Sequence, residues 1–458
     1  MVIAAGVLAL GIGTGCDDDD DDDPRDPMCG MDAGLMCPPC PTPDAAALCP
    51  GPDGSTPQPS DPSVVNGMAL VEEGREIFRF DTFGDEVFWG GQLRLHEAVA
   101  GEANGGVGPG LTPTDALGLG LKVDATALPE ELRSQLAAGE VDLNDPATTL
   151  ALLQIDSVVG VKGFFDEGGA LTSIGITCAF CHSTVDDSFA PGIGERLDGW
   201  PNRDLDVGGI VALAPTLQPF VDVLGVDEAT VRTVLDAWGP GRYDAMLILD
   251  GQGFRPDGAT AAVLLPAAFG LAGVNLHTYT GFGGVPYWNA HVAIIQMHGQ
   301  GRFYDPRLND AERFPVAAAN GFADIRPEND LVTSKLPALH VYQLAIPIPT
   351  PPADRFDAAA AERGRAIFEG RAQCATCHPA PFYLDHLMHD LHVERFLNEP
   401  GDGPIKSFTL RGIKDSPPYL HDGRLLTLED TVEFFNLVLE LKLSQQEKAD
   451  LVAFLRCL

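Results

Sequence analysis

The sequence predicts a mainly α-helical fold made of two successive helical modules, the first carrying a large insertion. Three observations lead there. The pattern C-x-x-C-H occurs twice, at Cys178-Ala179-Phe180-Cys181-His182 and at Cys374-Ala375-Thr376-Cys377-His378. A short phrase also occurs twice, Gly74-Arg75-Glu76-Ile77-Phe78 and Gly364-Arg365-Ala366-Ile367-Phe368. Between the halves runs Ile346 to Pro352, a proline-rich stretch that continues neither a helix nor a sheet ladder. The expected organisation is a leader over 1–15, a tether over 16–63, a first module over 64–350 and a second over 351–458.

The N-terminal stretch is read first. Val2 to Ile12 is an apolar run shorter than the roughly 20 residues of a membrane-spanning helix, and it suits the apolar segment of an export signal. Gly13, Thr14 and Gly15 precede Cys16 as small residues precede the lipidated cysteine of a bacterial lipoprotein, so Cys16 is the expected lipidation site. Seven consecutive aspartates, Asp17 to Asp23, repel one another. The following stretch to Ser63 is rich in Pro, Gly, Asp and Ala and reads as an extended tether. Cys29, Cys37, Cys40 and Cys49 lie there; disulfides in an oxidising compartment and low-complexity drift both account for them, and no chemistry is assigned to them. The expected location is the periplasmic or outer face of a bacterial membrane, reached through a lipid anchor only.

Composition narrows the partners. Among 458 residues, Asp and Glu number 66 against 29 Lys and Arg, a net charge of −37. Nucleic acid is excluded, because phosphate binding needs a basic surface. A charged protein partner would be basic, and its steering would weaken with salt. Hydrophobic residues at 45% are ample for packed cores.

The two C-x-x-C-H motifs carry the chemistry. Two thiols three positions apart on a helical turn meet the two vinyl groups of one haem, and the adjoining imidazole reaches the iron. A zinc or thiol-redox site would use a C-x-x-C pair alone and leave the repeated histidine unexplained. The expected cofactors are therefore two covalent haem c groups, on Cys178, Cys181 and His182 and on Cys374, Cys377 and His378, with His182 and His378 as axial ligands. The two modules are then cytochrome c-like helical haem domains. Around the second motif, Asp357 should cap a helix over Ala358 to Phe368. Ser444-Gln445-Gln446-Glu447 forms a capping box that opens the last helix. Cys374 follows Phe368 after 6 positions, whereas Cys178 follows Phe78 after 100, an interval longer by 94. Residues 79–177, with Trp89 and His96, belong to that extra length.

The segments Ser407-Phe408-Thr409-Leu410-Arg411-Gly412, Pro418-Tyr419-Leu420-His421-Asp422-Gly423-Arg424 and Thr427-Leu428-Glu429 resemble the C-terminal domain of bacterial di-haem cytochrome c peroxidases. The di-haem oxidases of methylamine utilisation are relatives in that superfamily. The likeness is specific over 357–458 and loose over 64–350. It implies a C-terminal haem that relays electrons and an N-terminal haem that meets hydrogen peroxide, with a redox protein as electron donor. The peroxidases place a methionine ligand fourteen positions after the histidine of His-Asp-Gly, and here that position is Phe435. Candidates for the sixth ligand are therefore His421, Met388, His389, Met297 and His298, with His392 near them in sequence. His277 and His291 are the candidate distal residues, since an imidazole suits proton transfer from peroxide. The likeness also implies a calcium site, onto which Asn202, Ser416 and Pro418 align. Trp200 and Trp288 are candidates for the space between the haems. A non-catalytic two-haem relay and a di-haem oxidase or oxygenase remain the alternatives.

Overall fold

In the computed structural model, residues 61–251, 260–351, 356–390 and 404–458 are described. The leader, residues 16–60 with Cys16, Cys29, Cys37, Cys40 and Cys49, and His392 lie outside them, whereas residues 61–63, expected in the tether, open a helix. Helices dominate, and the described strands pair into two-stranded ladders with no barrel.

Helix α1 spans Pro62–Phe80, with Asp61 accepting from the Ser63 N–H at its start and proline in its first turn. Residues 79–177 then fold into short helices and one hairpin, β1 (Val161–Phe165) with β2 (Leu171–Ile176). The first C-x-x-C-H lies on a single turn, α2 (Ala179–His182). Strands β3 (Arg242–Tyr243) and β4 (Val263–Leu264) pair antiparallel. Helix α3 (Val285–His291) runs into a wider π turn over Val292–Gln296. Helix α4 (Leu336–Ala345) ends where the proline-rich stretch begins. Ile346 there is extended, and Lys414 Nζ donates to the Pro349 carbonyl at 3.0 Å.

Helix α5 (Ala358–Glu369) starts at Asp357, whose carboxylate accepts from the Ala359 and Ala360 N–H groups. Strands β5 (Met388–His389) and β6 (Ile405–Lys406) pair antiparallel. Helix α6 (Leu428–Val438) opens with a Thr427–Asp430 capping box, and α7 (Gln445–Leu455) with the Ser444–Glu447 box. One hydrophobic core gathers buried residues from Ile77 to Ile346, and a second gathers residues from Phe368 to Leu455.

The repeated Gly-Arg-x-Ile-Phe phrase has a packing cause. Helix α1 crosses α4 and α5 crosses α7. At the first crossing a Cβ on Gly74 would lie 2.1 Å from the Ala338 carbonyl oxygen, and at the second a Cβ on Gly364 would lie 1.9 Å from that of Asp450. Only glycine lets the helix backbones approach so closely. Phe368 and Phe454 then meet edge to face at 5.2 Å.

A second correspondence is carried by backbone conformation. Gly270 and Gly412, Thr278 and Leu420, and Gly281 and Gly423 all have positive φ, each pair 142 positions apart. The bridge between His277 and Gly283 has its counterpart, at the same spacing, between Tyr419 and Leu425. Segments 264–283 and 406–425 thus share these turns with almost wholly different side chains, and they part at Gly273, whose positive φ Asp415 lacks.

Candidate functional site

The two C-x-x-C-H turns are held alike. At the first, His182 Nδ1 lies 3.1 Å from the Pro266 carbonyl. Burial pulls this imidazole down to about 4, against the lift from the Pro266 carbonyl. Burial also pushes the Cys178 and Cys181 thiols up to about 12. Cys178, Cys181 and His182 nevertheless keep part of their surface accessible, as side chains lining a recess do. At the second, His378 Nδ1 lies 2.9 Å from the Tyr383 carbonyl. Burial again lowers the ring, and the backbones of Tyr383 and Phe408 raise it. In both turns the anchored Nδ1 fixes ring orientation and leaves Nε2 for another partner. None of the four motif cysteines is paired in a disulfide.

Two partly buried arginines lie near the first motif. Arg203 Nη2 donates to the Ser416 carbonyl at 3.2 Å, while its Nε and Nη1 are buried without a partner. Arg242 donates to the Asp422 carbonyl at 3.1 Å. Burial and the neighbouring Arg242 bring Arg203 down to about 10. Two guanidinium groups side by side call for an anion.

The second motif has a different neighbour. His389 Nδ1 lies 3.6 Å from Cys377 Sγ, and its Nε2 lies 2.7 Å from Asp385 Oδ2. Burial raises Asp385, but the Ser407 hydroxyl, the Leu387 N–H and His389 outweigh it and hold the carboxyl near 2. Cys377, Asp385 and His389 form the one trio of such donors within ligand spacing among the described residues.

His277 is buried with neither ring nitrogen partnered, and its ring centre lies 6.0 Å from that of Phe408. Burial, then Lys406 and His340, lower it to about 4. The chain thus lays this histidine beside the segment that follows the second motif. His291 is also buried, with Nε2 unpartnered and Nδ1 3.5 Å from the Tyr287 hydroxyl. That hydroxyl donates to Asp305 Oδ2 at 2.8 Å, and Arg307 holds the same carboxylate. Burial brings His291 to about 4, against the lift from Asp305.

The other candidates are dispersed. Met297 is buried, and its carbonyl accepts from Trp89 Nε1 at 2.9 Å. His298 stacks on Phe88 at 3.5 Å. Met388 is exposed on β5. His421 packs against Tyr279, and Phe435 against Phe434. Trp200 packs on Phe269, and Trp288 on Tyr287 and His291.

Sequence reasoning passed over Arg203, Arg242, Tyr279 and the Tyr287–Asp305–Arg307 chain. A lone arginine or tyrosine carries no signal of burial, so none of them announces itself. The 142-residue spacing of Gly270 with Gly412 and Gly281 with Gly423 was the one pointer available to Tyr279.

No protein-family model matches the chain. A stretch of 121 residues is 33% identical to the methylamine utilization protein MauG of Methylorubrum extorquens, covering 21% of this chain and 34% of that protein. A stretch of 224 residues is 26% identical to cytochrome-c peroxidase IdrP1 of Denitromonas iodatirespirans, covering 36% and 59%. Cytochrome-c peroxidase IdrP1 of a Pseudomonas species matches at 26% over 148 residues, covering 21% and 39%. The chain therefore spans between a third and three fifths of these relatives' lengths. A crystal structure of a MauG-like protein associated with microbial copper homeostasis aligns with a TM-score of 0.31 and 18% identity, over 48% of this chain and 78% of that one. Over these stretches the chain is similar to MauG and to cytochrome-c peroxidases.

Proposed function

We propose that this chain is an exported di-haem c-type cytochrome and an oxidoreductase of the peroxidase type, reducing hydrogen peroxide with electrons passed from the second haem to the first. The observation that carries the reading is the matched pair of turns, in which His182 and His378 each have Nδ1 tied to a backbone carbonyl and Nε2 left over. Iron ligation by imidazole asks for that arrangement. The unpartnered buried nitrogens of His277, His291 and Arg203 fit a missing group as well, since such atoms are rarely left orphaned.

Cys178 with Cys181, and Cys374 with Cys377, would hold the haems by thioethers, and His182 and His378 would ligate them. Arg203 and Arg242 would face the carboxylates of the first. When bound, each haem supplies a one-electron couple and an iron site. The chain's own part is proton handling. His277 and His291, kept neutral by burial, can each accept a proton at a ring nitrogen. Asp305 stands behind His291 through Tyr287 to offset the charge that results. Peroxide reduction consumes two protons and two electrons and yields two waters, so a neutral base near neutral pH suits it.

The calcium site does not fit these residues. The Ser416 carbonyl already accepts from the Arg203 guanidinium, and Asn202 spends its amide on the Gly120 carbonyl and the Asp204 N–H. A fixed cation stands where a metal ion would.

The redox partner would be a basic protein, given the net charge of −37. Attachment to the membrane would be through lipidated Cys16, which follows the small residues Gly13, Thr14 and Gly15; no described helix is long and apolar enough to cross a membrane. EPR of the haem-loaded protein, fully oxidised and then half-reduced, tests the enzyme reading. A high-spin ferric signal in either state supports it. Low-spin signals alone in both states would leave a two-haem relay.

A further inference from the structure

The counterpart segments 264–283 and 406–425 also touch each other, and they do so reciprocally. The Leu264 N–H donates to the His421 carbonyl at 2.8 Å, and the Lys406 N–H donates to the Tyr279 carbonyl at 2.7 Å. Leu264 corresponds to Lys406, and Tyr279 to His421, at the same spacing of 142 that relates the glycines. A contact repeated with its partners exchanged is the mark of a local two-fold relation. The rings of Tyr279 and His421 meet on it, 4.6 Å between centres and inclined by 35°.

Residues that are counterparts and also neighbours lie on the axis that relates the two segments. His182 and His378, equivalent by motif though not at the spacing of 142, each connect to one of these segments. Links run outward in both directions. On one side the His421 carbonyl holds Leu264, two residues before Pro266, whose carbonyl lies 3.1 Å from His182 Nδ1. On the other the Tyr279 carbonyl holds Lys406, two residues before Phe408, whose backbone interacts with the His378 ring. Every link in this path as far as Phe408 is a covalent bond, a hydrogen bond or the ring contact, and the Phe408 backbone is near enough to raise the His378 ring.

We propose that the Tyr279–His421 ring pair bridges electron transfer between the groups held at the two motifs, an inference that rests on the two-haem reading above. The pair carries one electron from a ferrous to a ferric centre, so that the first is oxidised and the second reduced. The rings keep their bonds and protons, and no other reactant is needed. Trp200 and Trp288, the aromatic candidates in the sequence, instead pack against Phe269 and against Tyr287 with His291.

The test uses the full haem-loaded chain. An electron is injected by a light-driven reductant, and its redistribution between the two centres is followed optically. Tyr279→Leu and His421→Leu should each slow redistribution several-fold, whereas Tyr279→Phe, which keeps the ring, should hold the parental rate. The bridging hydrogen bonds are made by backbone atoms, so the leucine variants retain them. Should those variants fail to fold, His421→Gln against Tyr279→Phe decides by the same measure, the first slow and the second not. Parental rates in ring-less variants that carry two haems at parental potentials overturn the bridge. A parental chain with fewer than two haems overturns the reading beneath it instead.

Discussion

The two halves hold the same motif in different surroundings. Around the first, protein closes in tightly enough to push both thiols to about 12, and the adjoining core draws on residues from 77 to 346. Around the second, the core is small, Cys377 is partly exposed beside His389, and apolar side chains reach solvent at Leu387, Met388 and Leu426. One turn of sequence therefore serves two settings. The first lies under more protein than the second, although the cysteines of both motifs keep part of their surface accessible. The difference comes from what is packed around the motif, since the motif itself is the same five-residue pattern.

Removing one motif at a time should break this comparison most sharply. Replacing Cys178 and Cys181 by alanine, or Cys374 and Cys377 by alanine, should halve the covalent haem measured as pyridine haemochrome. Equal loss from the two pairs supports one group per half.

Acid should then separate the halves. Burial holds His298, stacked on Phe88 in the first half, down to about 4, whereas in the unfolded chain it titrates near the usual 6.5. As pH falls the unfolded state takes up the proton first. Stability is complete above 6.5 and declines from there to about 4, by up to roughly 3 kcal/mol for one such ring. Denaturant unfolding at pH 7 and at pH 4.5 should show the loss, and His298→Leu should flatten it. Hydrogen exchange at pH 4.5 should rise within 77–346 before it rises within 368–455.

The helix crossings should show the halves to be alike. Gly74→Ala and Gly364→Ala each drive a methyl group into a carbonyl about 2 Å away. Each should cost about 1–3 kcal/mol, the usual toll of overpacking, read as a lower melting temperature. A harmless alanine at either site would deny that its crossing is tight.

Much of this architecture was legible because its causes are local. Asp357 and Ser444 cap helices through their own side chains, and C-x-x-C-H needs only one turn of chain. The Gly74 and Gly364 phrases could be read as an echo, although the carbonyls that demand glycine lie far along the sequence, at Ala338 and Asp450. The second correspondence was not legible. It keeps backbone conformation and discards side chains, so that Leu264 answers to Lys406, Pro266 to Phe408 and His277 to Tyr419. Thr278 and Leu420 share a left-handed conformation that neither residue type advertises. Ligand candidates chosen by nearness along the chain, such as Met297 and His298, meet Trp89 and Phe88 from residues 79–177, a region whose packing no local pattern reveals.

The smallest expected effect concerns the caps. Thr427→Ala and Ser444→Ala each remove a side chain that accepts from a first-turn N–H, and each should lower stability by about 1 kcal/mol. Because both act on the small second core, exchange should rise there and leave the first half unchanged. A matching rise within 77–346 would mean that the halves unfold as one.

The central claim is that each half holds one haem on its own C-x-x-C-H turn. Peptide-resolved mass spectrometry of the protein purified from an exporting host tests it most directly. Haem mass on the peptide containing Cys178 and Cys181, and again on the peptide containing Cys374 and Cys377, is the result expected. Unmodified thiols on either peptide, in protein exported with its haem-attachment machinery, would contradict it.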